Sequence, residues 1–276
     1  MHAHSLLEPF TPAMAAQAGI GRSALERLLR QGQIVRVLRG VYLDAGVEPD
    51  CSLRARALAL VLGGRHLVVD RTAAWVHGGD RIESAGSAGV PLDLHGRRRH
   101  LGHDLPIGDH EVVRLGPVRV TSPLRTALDV ARRLAPDRAL AALDGMLRTG
   151  TLEHCRLLAA AGSLNGLPGG TQGRELIAMA DARAADGAES VLRMCWLHAR
   201  IPTPVPGLVV NGRRLALALP VQRFAVSLDP VPAATHWPAP EWRVLALDRG
   251  RVLTGDRGYL AEHLEREFHQ HLLATV

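Results

Sequence analysis

Lysine is absent from this chain of 276 residues, so all 33 Lys-plus-Arg positions are arginine. That absence removes whole classes of chemistry. No Walker-type lysine is present to reach a nucleotide phosphate, no lysine can carry a Schiff base, and no kinase-type lysine is available. A GC-rich genome accounts for the bias. Aromatic residues make up only 3%, too few for the stacked-base platforms of single-strand and RNA readers. Duplex DNA is not excluded on that ground. The three cysteines, Cys51, Cys155 and Cys195, are far apart and form no C-x-x-C pair, which fits free thiols in a reducing cytosol. Apolar runs such as Ala57 to Leu62 fall far short of a membrane span. Glu8 and Pro9 interrupt the short apolar start, which lacks a basic n-region and does not read as a signal peptide. A cytoplasmic, nucleoid-associated protein is expected. The 14 histidines show no H-E-x-x-H spacing, so neither a designed metal site nor a cofactor is expected.

What is present is a folded composition, 47% hydrophobic and 22% charged, with a net charge of +6. An arginine-borne excess of this sign favours a polyanion, because guanidiniums gain affinity by releasing the counterions condensed on phosphates. The pattern predicts an α+β multidomain chain: a winged helix-turn-helix at residues 1–46, a mixed α/β middle domain at 50–165 and a restriction-endonuclease-like α/β domain at 175–276. In the middle domain, strands are expected at Leu67 to Val69, Glu111 to Leu115 and Val118 to Thr121, and helices at Ser122 to Leu134 and Arg138 to Leu147. Asn165 to Gly173, with clustered glycines, reads as a loop or hinge. The last domain reads as a helix at Ala188 to Ala199, short strands from Leu208 to Leu247, and a closing helix at Tyr259 to Leu273.

The first segment carries the clearest local signals. Thr11-Pro12 starts a helix well, since threonine caps and proline is preorganised for the first helical position. That helix stops at Gly19, and a second runs from about Gly21 to Gly32. At about 100° per residue, Ala24, Leu25, Leu28 and Leu29 share one arc. Arg22, Ser23, Glu26, Arg27 and Arg30 occupy the other, followed by Gln31. Ile34 to Leu43 then reads as two strands pivoting on Arg39-Gly40, a wing with Arg36 beside its tip. Such a helix reads bases from the major groove while wing arginines hold phosphate. Arg97, Arg98 and Arg99 form a further basic loop suited to phosphate. A solvated amphipathic helix with incidental charge is the alternative.

Phe10-Thr11, Ala18-Gly19-Ile20, Ser23-Ala24-Leu25, Val35-Arg36-Val37 and Arg39-Gly40-Val41-Tyr42 together resemble the winged helix of actinobacterial AbiEi-type antitoxin regulators. The likeness continues through Ala73-Ala74-Trp75-Val76-His77-Gly78 and Val120-Thr121-Ser122-Pro123-Leu124-Arg125-Thr126-Ala127-Leu128-Asp129. The resemblance implies a repressor of its own operon that binds promoter or operator DNA. In some members the second partner is a nucleotidyltransferase-like toxin. Trp75 and His77 read either as a functional pair or as a helix end packed on a core; packing is the expectation.

The tail resembles the PD-(D/E)XK nuclease domain related to very-short-patch repair enzymes, through Glu189-Ser190-x-Leu192-Arg193 and Glu241-Trp242-Arg243-Val244-Leu245. Phosphodiester hydrolysis there needs Mg²⁺ held by converging carboxylates. The resemblance places those acids at positions occupied here by Glu189, Ala216, Ser227 and Asp229, and Pro230 stands where the motif has glycine. With two carboxylates missing, the expectation is a nuclease fold without the reaction and no enzyme activity. Two alternatives stay open: a Mg²⁺-dependent endonuclease targeted by the winged helix, and an adaptor that neutralises a toxin without binding DNA.

Overall fold

The computed structural model describes residues 7–62, 66–79, 106–228 and 241–274. The architecture is mixed α+β with several small sheets. The chain forms two compact units, one running to Gly78 and taking in residues 106–126, the other comprising chiefly the chain from Ala127 onward.

In the first unit, helices α1 (Pro12–Gln17) and α2 (Arg22–Arg30) precede strands β1 (Ile34–Leu38) and β2 (Val41–Asp44), which pair antiparallel. Phe10 bridges Tyr42 through two backbone hydrogen bonds of 3.0 and 2.9 Å, so the hairpin gains the beginning of a third strand. Helix α3 (Cys51–Ala59) follows, its amino end capped by Asp50, whose carboxylate accepts from the Leu53 N–H at 2.7 Å. Strand β3 (Leu67–Val68), helix α4 (Asp70–Val76), and strands β4 (Val112–Leu115) and β5 (Val118–Thr121) come next. Strand β5 is central, parallel to β3 and antiparallel to β4.

Two cores hold this unit, and the wing contributes to both. Ile34 and Tyr42 pack with Phe10, Ala15 and Leu25. Leu38 and Val41 instead join Ala55 and Leu58 of α3, Trp75, Val118 and Val120. The wing is therefore anchored by apolar contacts that residues 1–46 do not supply alone.

Helix α5 (Pro123–Arg133) begins in the first unit. The Ser122 hydroxyl accepts from the Arg125 N–H at 3.3 Å, and the Thr121 and Thr126 hydroxyls lie 2.7 Å apart. Arg125 reaches Glu111 at 2.6 Å. The T-S-P-L-R-T string thus has a structural account: it ends a strand, caps a helix and ties the two together.

The second unit stacks helices α6 (Pro136–Arg148), α7 (His154–Ala160), α8 (Gly170–Met179) and α9 (Gly187–His198) ahead of its sheet. Strand β6 (Val205–Pro206), the hairpin β7 (Val209–Val210) and β8 (Arg213–Arg214), then β9 (Leu217–Leu219), β10 (Phe224–Ser227) and β11 (Arg243–Ala246) follow. Helices α10 (Arg249–Thr254) and α11 (Arg257–Ala274) close it. The four-stranded sheet has the order β11-β10-β9-β6, with β10 and β11 parallel and the other neighbours antiparallel. Its core is aromatic where the chain can supply rings: Phe224 stands 5.8 Å from Trp196 and 5.5 Å, edge-on, from Phe268.

One expectation is corrected. The glycine cluster is not a loop throughout, because Gly170 begins α8. A Cβ on Gly169 would lie 2.0 Å from the Arg132 carbonyl oxygen, and one on Gly170 would lie 2.0 Å from that of Leu164. These glycines permit backbones to touch rather than a hinge to swing. Helices α7 and α10 also lie where the sequence reading placed no element.

Candidate nucleic-acid interface

Local chemistry builds the helix-turn-helix. The Thr11 hydroxyl accepts from the Met14 N–H at 3.3 Å, and Pro12 opens α1. Gly19, at φ +82°, makes the turn. Gly32, φ +66°, stops α2 just beyond its C-cap, with the Gln33 N–H donating to the Leu28 carbonyl and the Gly32 N–H to that of Leu29, the paired bonds of a Schellman cap. Leu25 is buried beneath it, and Leu28 and Leu29 are half-buried. Arg22, Ser23, Glu26, Arg27, Arg30 and Gln31 all face solvent, as the helical projection requires.

The arginines of this face are not equivalent. Arg22 is paired with Glu26 one turn on, at 3.1 Å, with its side chain 92% exposed. Such a pair is worth only about 0.2–0.5 kcal/mol. Arg27 and Arg30 form no ion pair with a described residue. On the wing, Arg36 stands opposite Tyr42 across the hairpin, its guanidinium 5.7 Å from the ring centre and 3.4 Å from the hydroxyl. Tyr42 in turn stacks on Phe10 at 6.0 Å, so Arg36 is held against the core beneath the hairpin. Arg39 sits exposed at the tip beside Gly40, φ +76°. A bulge between Arg36 and Leu38 shifts the register, which sharpens the twist of the wing. Tyr42 and Phe10 are contributors that the sequence reading matched only as part of a string. Arg97, Arg98 and Arg99 lie outside the described residues.

In the second unit, Glu189 is buried near the start of α9, with only 2% of its surface exposed. The Ala185 N–H donates to its carboxylate at 2.8 Å, and Arg214 grips both oxygens, Nη2 to Oε2 at 2.8 Å and Nη1 to Oε1. The neighbouring Asp186 caps α9, accepting from the Ala188 and Glu189 N–H groups at 3.0 Å each, and receives Arg249 as well. Ala216 and Ser227 are buried; Asp229 lies outside the described residues. Arg214 was not anticipated. It ends β8, just ahead of the bend at Ala216.

Residues 2–43 match the family described as "Transcriptional regulator, AbiEi antitoxin", the stretch that forms the two helices and the wing. The uncharacterized proteins MT2308 and Rv2248 of two Mycobacterium tuberculosis strains, CDC 1551 / Oshkosh and ATCC 25618 / H37Rv, are each 30% identical over 218 residues. The match covers 76% of this chain and 79% of theirs. This chain belongs to their family.

Among the described residues at the positions named by the nuclease resemblance, Glu189, Ala216 and Ser227 do not fit a divalent metal. Metals of the Mg²⁺ class need several free oxygen ligands. The Glu189 oxygens are already engaged by a guanidinium and a backbone N–H, Ala216 has no donor atom, and Ser227 offers a neutral hydroxyl. Trp75 is buried in the core. The His77 Nε2 lies 2.7 Å from the Thr121 carbonyl oxygen, and burial holds its pKa below 6.5, so the neutral ring donates there. Burial likewise pushes the Cys195 thiol up to about 11, leaving it a packing group. Among the described residues, no helix is long and apolar enough to cross a membrane.

Proposed function

We propose that this protein is a sequence-specific duplex-DNA-binding transcriptional regulator of the antitoxin type, acting at an operator in the cytoplasm. One observation carries the reading: Arg27, Arg30, Arg36 and Arg39 stand exposed on one helix and its wing, without an ion-pair partner among the described residues. They lie inside the stretch matched to the regulator family. In this reading α2 enters the major groove, where Arg27 reads guanine O6 and N7, and Arg39 holds backbone phosphate. Ser23, Gln31 and Arg22 complete the contact, with Arg22 leaving Glu26 for phosphate. The antitoxin role, with a nucleotidyltransferase-like toxin as partner, rests on the family description and on the resemblance.

The test is an anisotropy titration of the full chain with duplexes from its own promoter. Arg27→Ala is expected to cost about 1–3 kcal/mol and to relax sequence preference. Arg39→Ala is expected to weaken all sequences alike and to flatten the salt dependence. A double variant that binds its operator like the parent would refute the reading.

The tail, in the same proposal, is a nuclease-like scaffold that does not cut. Its order of one helix, three antiparallel neighbours and a parallel fourth strand supports the scaffold, and the engaged Glu189 with Ala216 and Ser227 supports the lost reaction. Plasmid incubated with the protein and Mg²⁺ or Mn²⁺ should stay intact. Cleavage that disappears in Glu189→Ala would replace this reading with that of a targeted endonuclease.

A further inference from the structure

Sorting the first unit's arginines by partner separates them into two sets. Arg22, Arg56 and Arg125 are paired with Glu26, Glu8 and Glu111. Four of those without an ion pair to a described residue are the winged-helix arginines already discussed. Two more, Arg114 and Arg119, lie together elsewhere, directly opposite one another on the antiparallel hairpin of β4 and β5, while Arg54 donates to the Trp75 carbonyl. Arg114 and Arg119 are exposed. Their neighbours Val113, Leu115, Val118 and Val120 point the other way, into the core that also receives Leu38 and Val41 of the wing.

Two like charges directly opposite across a ladder repel, so the pairing lowers stability unless an anion lies between them. No described carboxylate does so. Both charges are mounted on the same core as the wing, so the wing and this hairpin form one framework. We propose that the β4–β5 hairpin is a second phosphate-binding element, through which Arg114 and Arg119 grip the backbone of the DNA held by the winged helix. The inference rests on the DNA-binding reading above. Phosphate backbone fits this surface better than an acidic protein does, because the core of a protein interface is apolar, and here the apolar residues of both strands are turned inward.

The experiment uses the full chain, a mixed-sequence duplex of about 30 base pairs, and anisotropy titrations from about 50 to about 200 mM salt. Each phosphate contact contributes about 0.9 to the logarithmic salt slope. Arg114→Ala with Arg119→Ala should therefore flatten the slope by up to about 1.8, shrinking the parent's loss of affinity across that range by roughly tenfold. Arg114→Lys with Arg119→Lys should restore most of the slope, since phosphate accepts a point charge. Arg156→Ala with Arg200→Ala removes the same net charge from exposed positions of the other unit and should leave the slope near that of the parent. An unchanged slope in the Arg114/Arg119 alanine variant overturns the inference while leaving the winged-helix reading intact, as does an equal flattening in the Arg156/Arg200 control. A parent that binds no DNA overturns both.

Discussion

In the C-terminal unit, arginines hold carboxylates inside the protein: Arg193 donates to Asp144 at 2.5 Å with both side chains almost fully buried, Arg132 donates to Asp129, and Arg214 to Glu189. In the N-terminal unit, Arg27, Arg30, Arg36, Arg39, Arg114 and Arg119 face solvent with no ion-pair partner among the described residues. The residue type is the same and the physical situation is opposite. A buried guanidinium must be paired, because its desolvation is costly and only a carboxylate or carbonyl close by offsets it. An exposed one remains hydrated and is free to exchange water and counterions for phosphate. Net charge therefore says little about where a polyanion would bind; the pairing state of each arginine, together with the element that carries it, says more.

The comparison is most severely tested at its buried end. Asp144→Ala strands Arg193 without its carboxylate and is expected to lower unfolding stability by about 3–5 kcal/mol, read as a fall in the urea midpoint. Its effect on DNA affinity, measured where the chain is still folded, should be small. Arg27→Ala is the converse: a loss of about 1–3 kcal/mol in operator binding, with stability within about 0.5 kcal/mol of the parent because the side chain is exposed. If the two variants exchanged phenotypes, the division between strut and contact would be broken.

Acid offers a further test, confined to the first unit. Burial depresses the His77 pKa, so the folded ring stays neutral as pH falls through 6.5, whereas the unfolded ring takes up a proton there. The unfolded state then binds more protons, and stability, complete above that pH, declines below it by up to about 1.4 kcal/mol per pH unit until the folded pKa is reached. Denaturation midpoints at about pH 7 and about pH 5.5 should differ less for His77→Gln, whose amide still donates to Thr121 but does not titrate. Equal pH dependence in parent and variant would count against the buried neutral imidazole.

The smallest expected effect sharpens the boundary between the two sets. Glu26→Ala frees Arg22, at a helix cost of about 0.3–0.5 kcal/mol, and should tighten binding to mixed-sequence DNA by a few-fold. This would move Arg22 from the paired set to the available one. Weaker binding would mean that Glu26 itself contributes to the contact.

The two N-terminal helices and the hairpin after them are legible from local residues alone. A Thr-Pro start, glycines at both helix stops, a 3.6-residue apolar period, a segregated basic face and an Arg-Gly turn are all local signals, each acting over a few residues, and α1, α2, β1 and β2 lie within a residue or two of where those signals put them. Which charges meet emerges only from the packing of elements distant along the chain. Arg193 finds Asp144 49 residues away, Arg257 finds Asp137 120 away, and Arg214 closes on Glu189 across 25. That packing likewise decided that Gly169 and Gly170 mark backbone contact and not a loop, and that Leu38 and Val41 tie the wing to α3 and β5. The reason is physical: a helix cap or a turn is set by neighbours along the chain, whereas pairing and close approach are set by the packing of whole elements, whose partners no local pattern names.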